Sequence, residues 1–246
     1  MKAMVLAAGL GTRLRPLTDE RPKALVEIGG RTLLEITLTR LREFGVRAVI
    51  INVHHLADRV VEYLTAHGNF GMRVEVSREE VLLDTGGGLK KAGWFLLEDG
   101  ERRDEPFLLH NVDVISSIDF GAMVEAHKKN GALATLAVQK REASRQLLFD
   151  EELWLCGRRT GRNAAAEIVR AVGAWEALAF TGIHVISPRL LGMMSEDRVF
   201  SIIDTYLRLA AAGENVRAYR TDGFYWRDLG KPEQLRQAEE DCRKKL

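Results

Sequence analysis

The chain has 246 residues, 46% of them hydrophobic and 29% charged, with a formal net charge of +1. That length suits one large domain with a sizeable core, and the near-neutral balance excludes a global basic field that would recruit nucleic acid or an anionic membrane. The two cysteines, Cys156 and Cys242, match no metal spacing and no disulfide framework, which points to a reduced, cytoplasmic setting.

Residues 3–8 are a short apolar run halted by glycine, which reads as a buried first strand and is too short for a signal sequence. Residues 32–44 carry leucine and isoleucine at helical spacing, with Thr32 as the cap and Glu35 three residues on, and Gly45 closes the helix. A second buried strand is predicted over 48–53, a helix over 56–67, a third strand over 72–77, a helix over 88–97 and a fourth strand over 106–110. A helix over 120–129 and a fifth strand over 132–138 follow. Strand and helix alternate throughout, the pattern of a mostly parallel sheet covered on both faces. Between 141 and 180 the rhythm fails. Only 147–149 and 153–156 look strand-like there, so this stretch reads as a less regular insertion in a single domain of 1–246. The pattern resumes with a strand over 182–186, a short helix over 188–194, a helix over 202–212, a strand over 216–219 and a last helix over 232–245 that opens on Pro232. No apolar stretch reaches the roughly 20 residues that span a bilayer.

The stretch from Leu6 to Leu25 looks like a phosphate loop and obeys neither familiar rule. In Ala7-Ala8-Gly9-Leu10-Gly11-Thr12 the glycines are too close for a Walker loop, and Leu14 occupies the third position of a dinucleotide fingerprint. The physics survives. Small residues at the carboxyl end of a first strand let backbone amides approach a base or a phosphate. Arg13 offers a bidentate guanidinium and Lys23 a mobile point charge. Pro16 and Pro22 hold the chain extended, so that it carries Lys23 back over the loop.

Gly9-x-Gly11-Thr12-Arg13 followed by Pro22-Lys23 resembles the signature of the sugar-1-phosphate nucleotidylyltransferases. Ala24 replaces the second proline of many members. The resemblance implies a Rossmann-like three-layer α/β/α sandwich with a mostly parallel mixed sheet, of the nucleotide-diphospho-sugar transferase type. It implies an NTP and a sugar 1-phosphate as partners, with Arg13 and Lys23 as catalytic residues and Leu6, Ala7, Ala8, Gly9, Gly11 and Thr12 around the nucleotide. Phosphoryl transfer calls for charge neutralisation, and magnesium takes one or two carboxylates plus phosphate oxygens. Asp113, after the 106–110 strand, and Asp228, before the last helix, resemble the family's two metal ligands, with Mg2+ as the implied cofactor. Val112 stands where the family usually has glycine.

Asp84-Thr85-Gly86-Gly87-Gly88 precedes a helix, where glycines and free amides admit a ligand ring or an anion. Thr85, Gly86 and Gly87 are therefore expected near the nucleotide. Glu79 or Glu80 offers a carboxylate able to accept from guanine N1–H and N2–H or from uracil N3–H. Asn111, Thr181, Gly182 and Glu167 resemble positions around the family's sugar. His54-His55 reads as a helix-entry loop rather than a metal site, His110 and His184 as core, and Trp94, Trp154 and Trp175 as packing residues. Trp226 reads as a buttress for the Asp228 loop, and the basic tail as a solvated helix end. The expected reaction is nucleotidyl transfer, with the uridylyl form of N-acetylmuramate-1-phosphate enzymes slightly ahead of mannose-1-phosphate guanylyl transfer. A non-catalytic subunit that binds nucleotide sugar is the alternative from another class.

Overall fold

A computed structural model of the chain describes residues 1–98, 104–161, 164–171 and 173–244, with the side chains from 242 onward outside the description. Cys242 and the basic tail therefore lie outside the described side chains. In chain order the strands and helices are β1 (Lys2–Leu6), β2 (Glu27–Ile28), β3 (Arg31–Thr32), α1 (Leu33–Glu43), β4 (Ala48–Val53), α2 (Ala57–Ala66) and β5 (Arg73–Arg78). Then come α3 (Asp84–Leu96), β6 (Phe107–Asn111), β7 (Val114–Ser116), α4 (Phe120–Lys129), β8 (Ala134–Gln139), β9 (Arg145–Phe149), β10 (Leu155–Thr160) and β11 (Glu167–Ile168). The chain finishes with β12 (Glu176–Ile186), α5 (Arg189–Gly192), α6 (Ile202–Ala211), β13 (Val216–Arg220), β14 (Trp226–Asp228) and α7 (Pro232–Lys244).

The central sheet has ten strands. β1 pairs in parallel with β4 and β6, β4 with β5, and β8 with β13, while β12 runs antiparallel to β6 and β8. Successive residues of its strands enter opposite cores. Ala3 and Val5 face one cluster with α1, α2, α4 and α7, whereas Met4 faces the other with α3 and α6. β4 repeats the division, with Val49, Ile51 and Val53 on the first side and Ile50 on the second. A sheet apolar on both faces is stable only between two helix layers, and this chain supplies them. The Thr32 hydroxyl accepts from the Glu35 amide at 3.0 Å and caps α1, and Pro232 opens α7.

Four differences from the sequence expectation matter. Residues 141–180 are more regular than they read: β9, β10 and β11 continue the same sheet in antiparallel order beside the first half of β12. Helix α3 starts at Asp84, before the triple glycine rather than after it. The short pairs β2–β3 and β7–β14 carry no periodic signal and escape a sequence reading. Trp94 and Trp175 are not packing residues, being 56% and 40% exposed, and Trp154 is half-buried with Arg170 and Arg217 on its ring. His110 and His184 are core residues as expected. Among the described residues no helix is long and apolar enough to cross a membrane.

Candidate active site

The loop after β1 folds back on itself. The Thr18 hydroxyl donates to Gly11 O at 2.8 Å, and short 3-10 turns at Thr12–Leu14 and Lys23–Leu25 replace an α-helix. The return brings Lys23 against Gly11, so the loop carries its lysine back over the small-residue turn. The turn is tied to the next strand, because Ala7 N–H donates to Asn52 Oδ1 at 2.8 Å.

The two aspartates meet through β7 and β14. Asp228 stands opposite Val114 in that antiparallel register, and Leu229 N–H donates to Asp113 O at 2.8 Å. Lys23 Nζ forms an ion pair with Asp113 Oδ2, and both side chains are largely buried. Asp228 Oδ1 accepts from Gly230 N–H at 2.6 Å. Gly230 is the floor on which Arg13 rests: a Cβ there would fall 2.5 Å from Arg13 Nη2 and 2.8 Å from Asp228 Oδ1. The Arg13 guanidinium is exposed and makes no ion pair or hydrogen bond among the described residues, and neither it nor Asp228 is among the residues that line the cleft around Lys23 and Asp113. Two carboxylates, hard oxygen donors already countered by a lysine, suit a magnesium ion that completes its shell with phosphate oxygens. Among the described residues no third carboxylate, histidine or cysteine joins them in an all-protein metal cage.

A cleft of about 440 Å3 at the carboxyl edge of β1 and β6 holds Leu6, Ala8, Gly9, Lys23, Asn111 and Asp113 together. A larger one of about 750 Å3 lies between the 16–27 loop and α7 and contains neither aspartate nor Lys23, so the smaller cleft is the one with the chemistry. Glu79 lines the smaller cleft, but its carboxylate is already engaged. Oε1 accepts from Asn52 Nδ2 at 2.7 Å and Oε2 from Leu83 N–H at 2.9 Å. Glu79 thus braces Asn52, and through it the Ala7 turn, while Glu80 is exposed outside the cleft lining. Gly86 and Gly87 do not open onto a ligand. Both amides donate to Phe200 O, at 3.0 and 3.3 Å, and a Cβ would strike the Phe200 ring at Gly86 and Arg198 O at Gly87. These glycines let α3 pack against the segment that leads into α6. Thr85 lines the cleft while its hydroxyl accepts from Ile202 N–H at 3.0 Å.

Asn111, expected near the sugar, lines the cleft, and Gly182 makes its room. At φ +80 Gly182 would place a Cβ 2.6 Å from Asn111 Nδ2. Thr181 is buried within the sheet, its hydroxyl donating to Ala137 O at 2.8 Å, and it is not among the residues that line the cleft. Its carbonyl accepts from Trp226 Nε1 at 2.8 Å, which anchors the strand that carries Asp228. Arg141 stacks on the other face of Trp226 at 3.8 Å; burial lowers its pKa, opposed by the charge of Asp228. Glu167 is exposed and touches the neighbouring cleft only through Arg158, at 2.6 Å. Asn52, Arg141 and Gly230 are the residues a sequence reading passes over. Of these, Asn52 alone had a signal, a polar residue inside a buried apolar strand.

A family profile described as nucleotidyl transferase matches residues 2–146. N-acetylmuramate alpha-1-phosphate uridylyltransferase of Caulobacter vibrioides is 37% identical over 238 residues, covering 94% of this chain and 92% of the relative. Mannose-1-phosphate guanyltransferase of Yarrowia lipolytica is 30% identical over 239 residues, and there the chain spans only 61% of the relative's length. Among solved structures, UDP-glucose pyrophosphorylase complexed with UDP-glucose superposes with a TM-score of 0.77 at 18% identity, over 100% of this chain and 99% of that one. HddC from Yersinia pseudotuberculosis gives 0.76 at 21% identity, over 98% and 99%. These two likenesses bear on the fold.

Proposed function

Because this chain belongs to the sugar-1-phosphate nucleotidylyltransferases, enzymes that join a nucleotide to a sugar 1-phosphate, we propose that it transfers a uridylyl group from UTP to N-acetylmuramate 1-phosphate with release of pyrophosphate. The observation that carries the substrate choice is the end-to-end similarity to the Caulobacter enzyme, which covers 94% of this chain and 92% of that one. Guanylyl transfer to mannose 1-phosphate is the second reading, favoured by the relative from Yarrowia at 30% identity. The catalytic groups Lys23, Asp113 and Asp228 are all retained, which argues against a non-catalytic subunit.

The chemistry follows from the cleft. An oxygen of the sugar phosphate attacks the α-phosphorus in line. The new P–O bond forms as the bond to the bridging oxygen breaks, and the electron pair leaves with pyrophosphate. The attacking oxygen is already anionic, so no general base is needed. Lys23, which lines the cleft, neutralises the α-phosphate and the incoming phosphate, and Arg13, which lies beside Gly230 and has no ionic partner among the described residues, holds the departing pyrophosphate. Asp113 and Asp228 would hold Mg2+, which when bound supplies charge neutralisation on the phosphates. Asn52, Glu79 and Gly182 position the turn and Asn111 without touching the reacting atoms.

The test is pyrophosphate release with magnesium, UTP, GTP, CTP, ATP and dTTP, each against N-acetylmuramate, N-acetylglucosamine, glucose and mannose 1-phosphates. Release with UTP and N-acetylmuramate 1-phosphate is expected. Release confined to GTP and mannose 1-phosphate overturns the uridylyl reading in favour of the second.

A further inference from the structure

A second cleft of about 590 Å3 adjoins the first, and Asp84, Thr85 and Asn111 line both. On the transferase reading, a nucleotide in the first cleft leaves this second one open to the acceptor sugar. One of its walls is a single face of the β9–β10 pair. Arg145 stands opposite Thr160 and Leu147 opposite Arg158 in that register, and all four line the cleft.

The two arginines of this wall are used differently. Arg158 Nε donates to Glu167 and Nη1 to Asp204, each at 2.6 Å, so two carboxylates balance its charge. Arg145 is exposed and makes no hydrogen bond or ion pair among the described residues. Of the other carboxylates lining the cleft, Asp204 is committed to Arg158, and Asp84 Oδ1 accepts from Thr85 N–H at 2.6 Å. A planar fork of donors with no internal acceptor matches a carboxylate, which it grips bidentately. A neutral sugar leaves that fork without an ionic partner.

Resting on the transferase reading above, we propose that Arg145 is an acceptor-specificity residue, and that the cleft takes a sugar 1-phosphate bearing a carboxylate on a ring substituent, which Arg145 binds. The carboxylate lies on the part of the acceptor that does not react, so its effect falls on KM more than on kcat.

The experiment compares N-acetylmuramate 1-phosphate, its lactyl methyl ester and N-acetylglucosamine 1-phosphate as acceptors of UTP, in the natural enzyme and in Arg145→Gln and Arg145→Lys. The natural enzyme is expected to favour the free acid over the ester by about tenfold or more in kcat/KM, mainly through KM. Arg145→Gln brings that ratio close to one, and Arg145→Lys restores part of it, because a point charge lacks the fork. UTP affinity measured by calorimetry reports that each variant is folded. Equal use of acid and ester by the natural enzyme, or a ratio unchanged in Arg145→Gln, overturns the inference and leaves the transferase reading standing. No pyrophosphate release with UTP and any of the three acceptors overturns both.

Discussion

Lys23 forms an ion pair with Asp113, and both line the cleft, although 90 residues separate them in sequence. The lysine therefore occupies an oxygen of a carboxylate that, on the proposed function, would help to hold the metal ion. Lys23→Ala removes the charge that neutralises the phosphates. Turnover is expected to fall by about 10²–10³-fold, the scale of losing one preorganised electrostatic contact. Steady-state kinetics check this, and circular dichroism should show an intact fold. Because the competing ammonium is gone, the same variant should bind Mn2+ more tightly than the natural chain in the absence of nucleotide, as read by calorimetry. Turnover within a few-fold of the natural enzyme would refute the role given to Lys23.

Gly230→Ala places a methyl group against both Arg13 and Asp228, at 2.5 and 2.8 Å from their polar atoms. The residue lies beyond β14 rather than in a packed helix interior, so the thermal midpoint should move little. Turnover should fall at least about tenfold, since both the pyrophosphate contact and a metal carboxylate are displaced. A variant with unchanged kcat would show that Arg13 does not work from this position.

Asn52 joins three parts of the cleft: it accepts from Ala7 N–H at 2.8 Å and donates to Glu79 at 2.7 Å, while Glu79 accepts from Leu83 N–H. Asn52→Ala leaves the buried Ala7 amide and one oxygen of the buried Glu79 carboxylate without partners. A loss of about 2–3 kcal/mol in urea unfolding is expected, together with a raised KM for the nucleotide. Asn52→Asp should be worse than Ala in stability at neutral pH, because it sets a second carboxylate against Glu79. Equal stability of all three chains would refute the bridging role.

Stability should also depend on pH through three buried histidines. Burial lowers His110 to about 4, helped by the charge of Arg40, His127 to about 4, and His184 to about 3, from an ordinary value of 6.5. The folded pKa lies below the unfolded one, so their contribution is complete above pH 6.5. As pH falls below that value the unfolded chain takes up protons that the folded chain refuses until about 4 and 3, and stability drops across that window. Each histidine adds a slope of up to about 1.4 kcal/mol per pH unit. His127 hydrogen-bonds Thr135 at 2.9 Å and Ser187 at 3.0 Å, and His127→Gln should flatten the profile by one proton. The urea midpoint from pH 8 to pH 5 measures it, and a level curve over that range would contradict the buried neutral state.

The sequence by itself determined the alternation of buried strands and amphipathic helices, because periods of two and of 3.6 are local properties of the chain. It likewise placed the small residues from Ala7 to Thr12 and Asp113 at strand ends, where an open α/β sheet presents ligands. Only the tertiary structure decided what those residues touch. β7 and β14 have three residues each, too few to show a period, yet their pairing brings Asp113 and Asp228 together. Glu79 was legible as a carboxylate near the nucleotide, but Asn52 reaches it from the neighbouring strand and the Leu83 amide from the following turn, and they take its oxygens. Gly86 and Gly87 read as ligand-facing and instead receive Phe200 and Arg198, since a missing side chain makes room without saying for whom. That Arg145 has no ionic partner among the described residues is a fact about the neighbours the fold sets around it, and no local pattern encodes that.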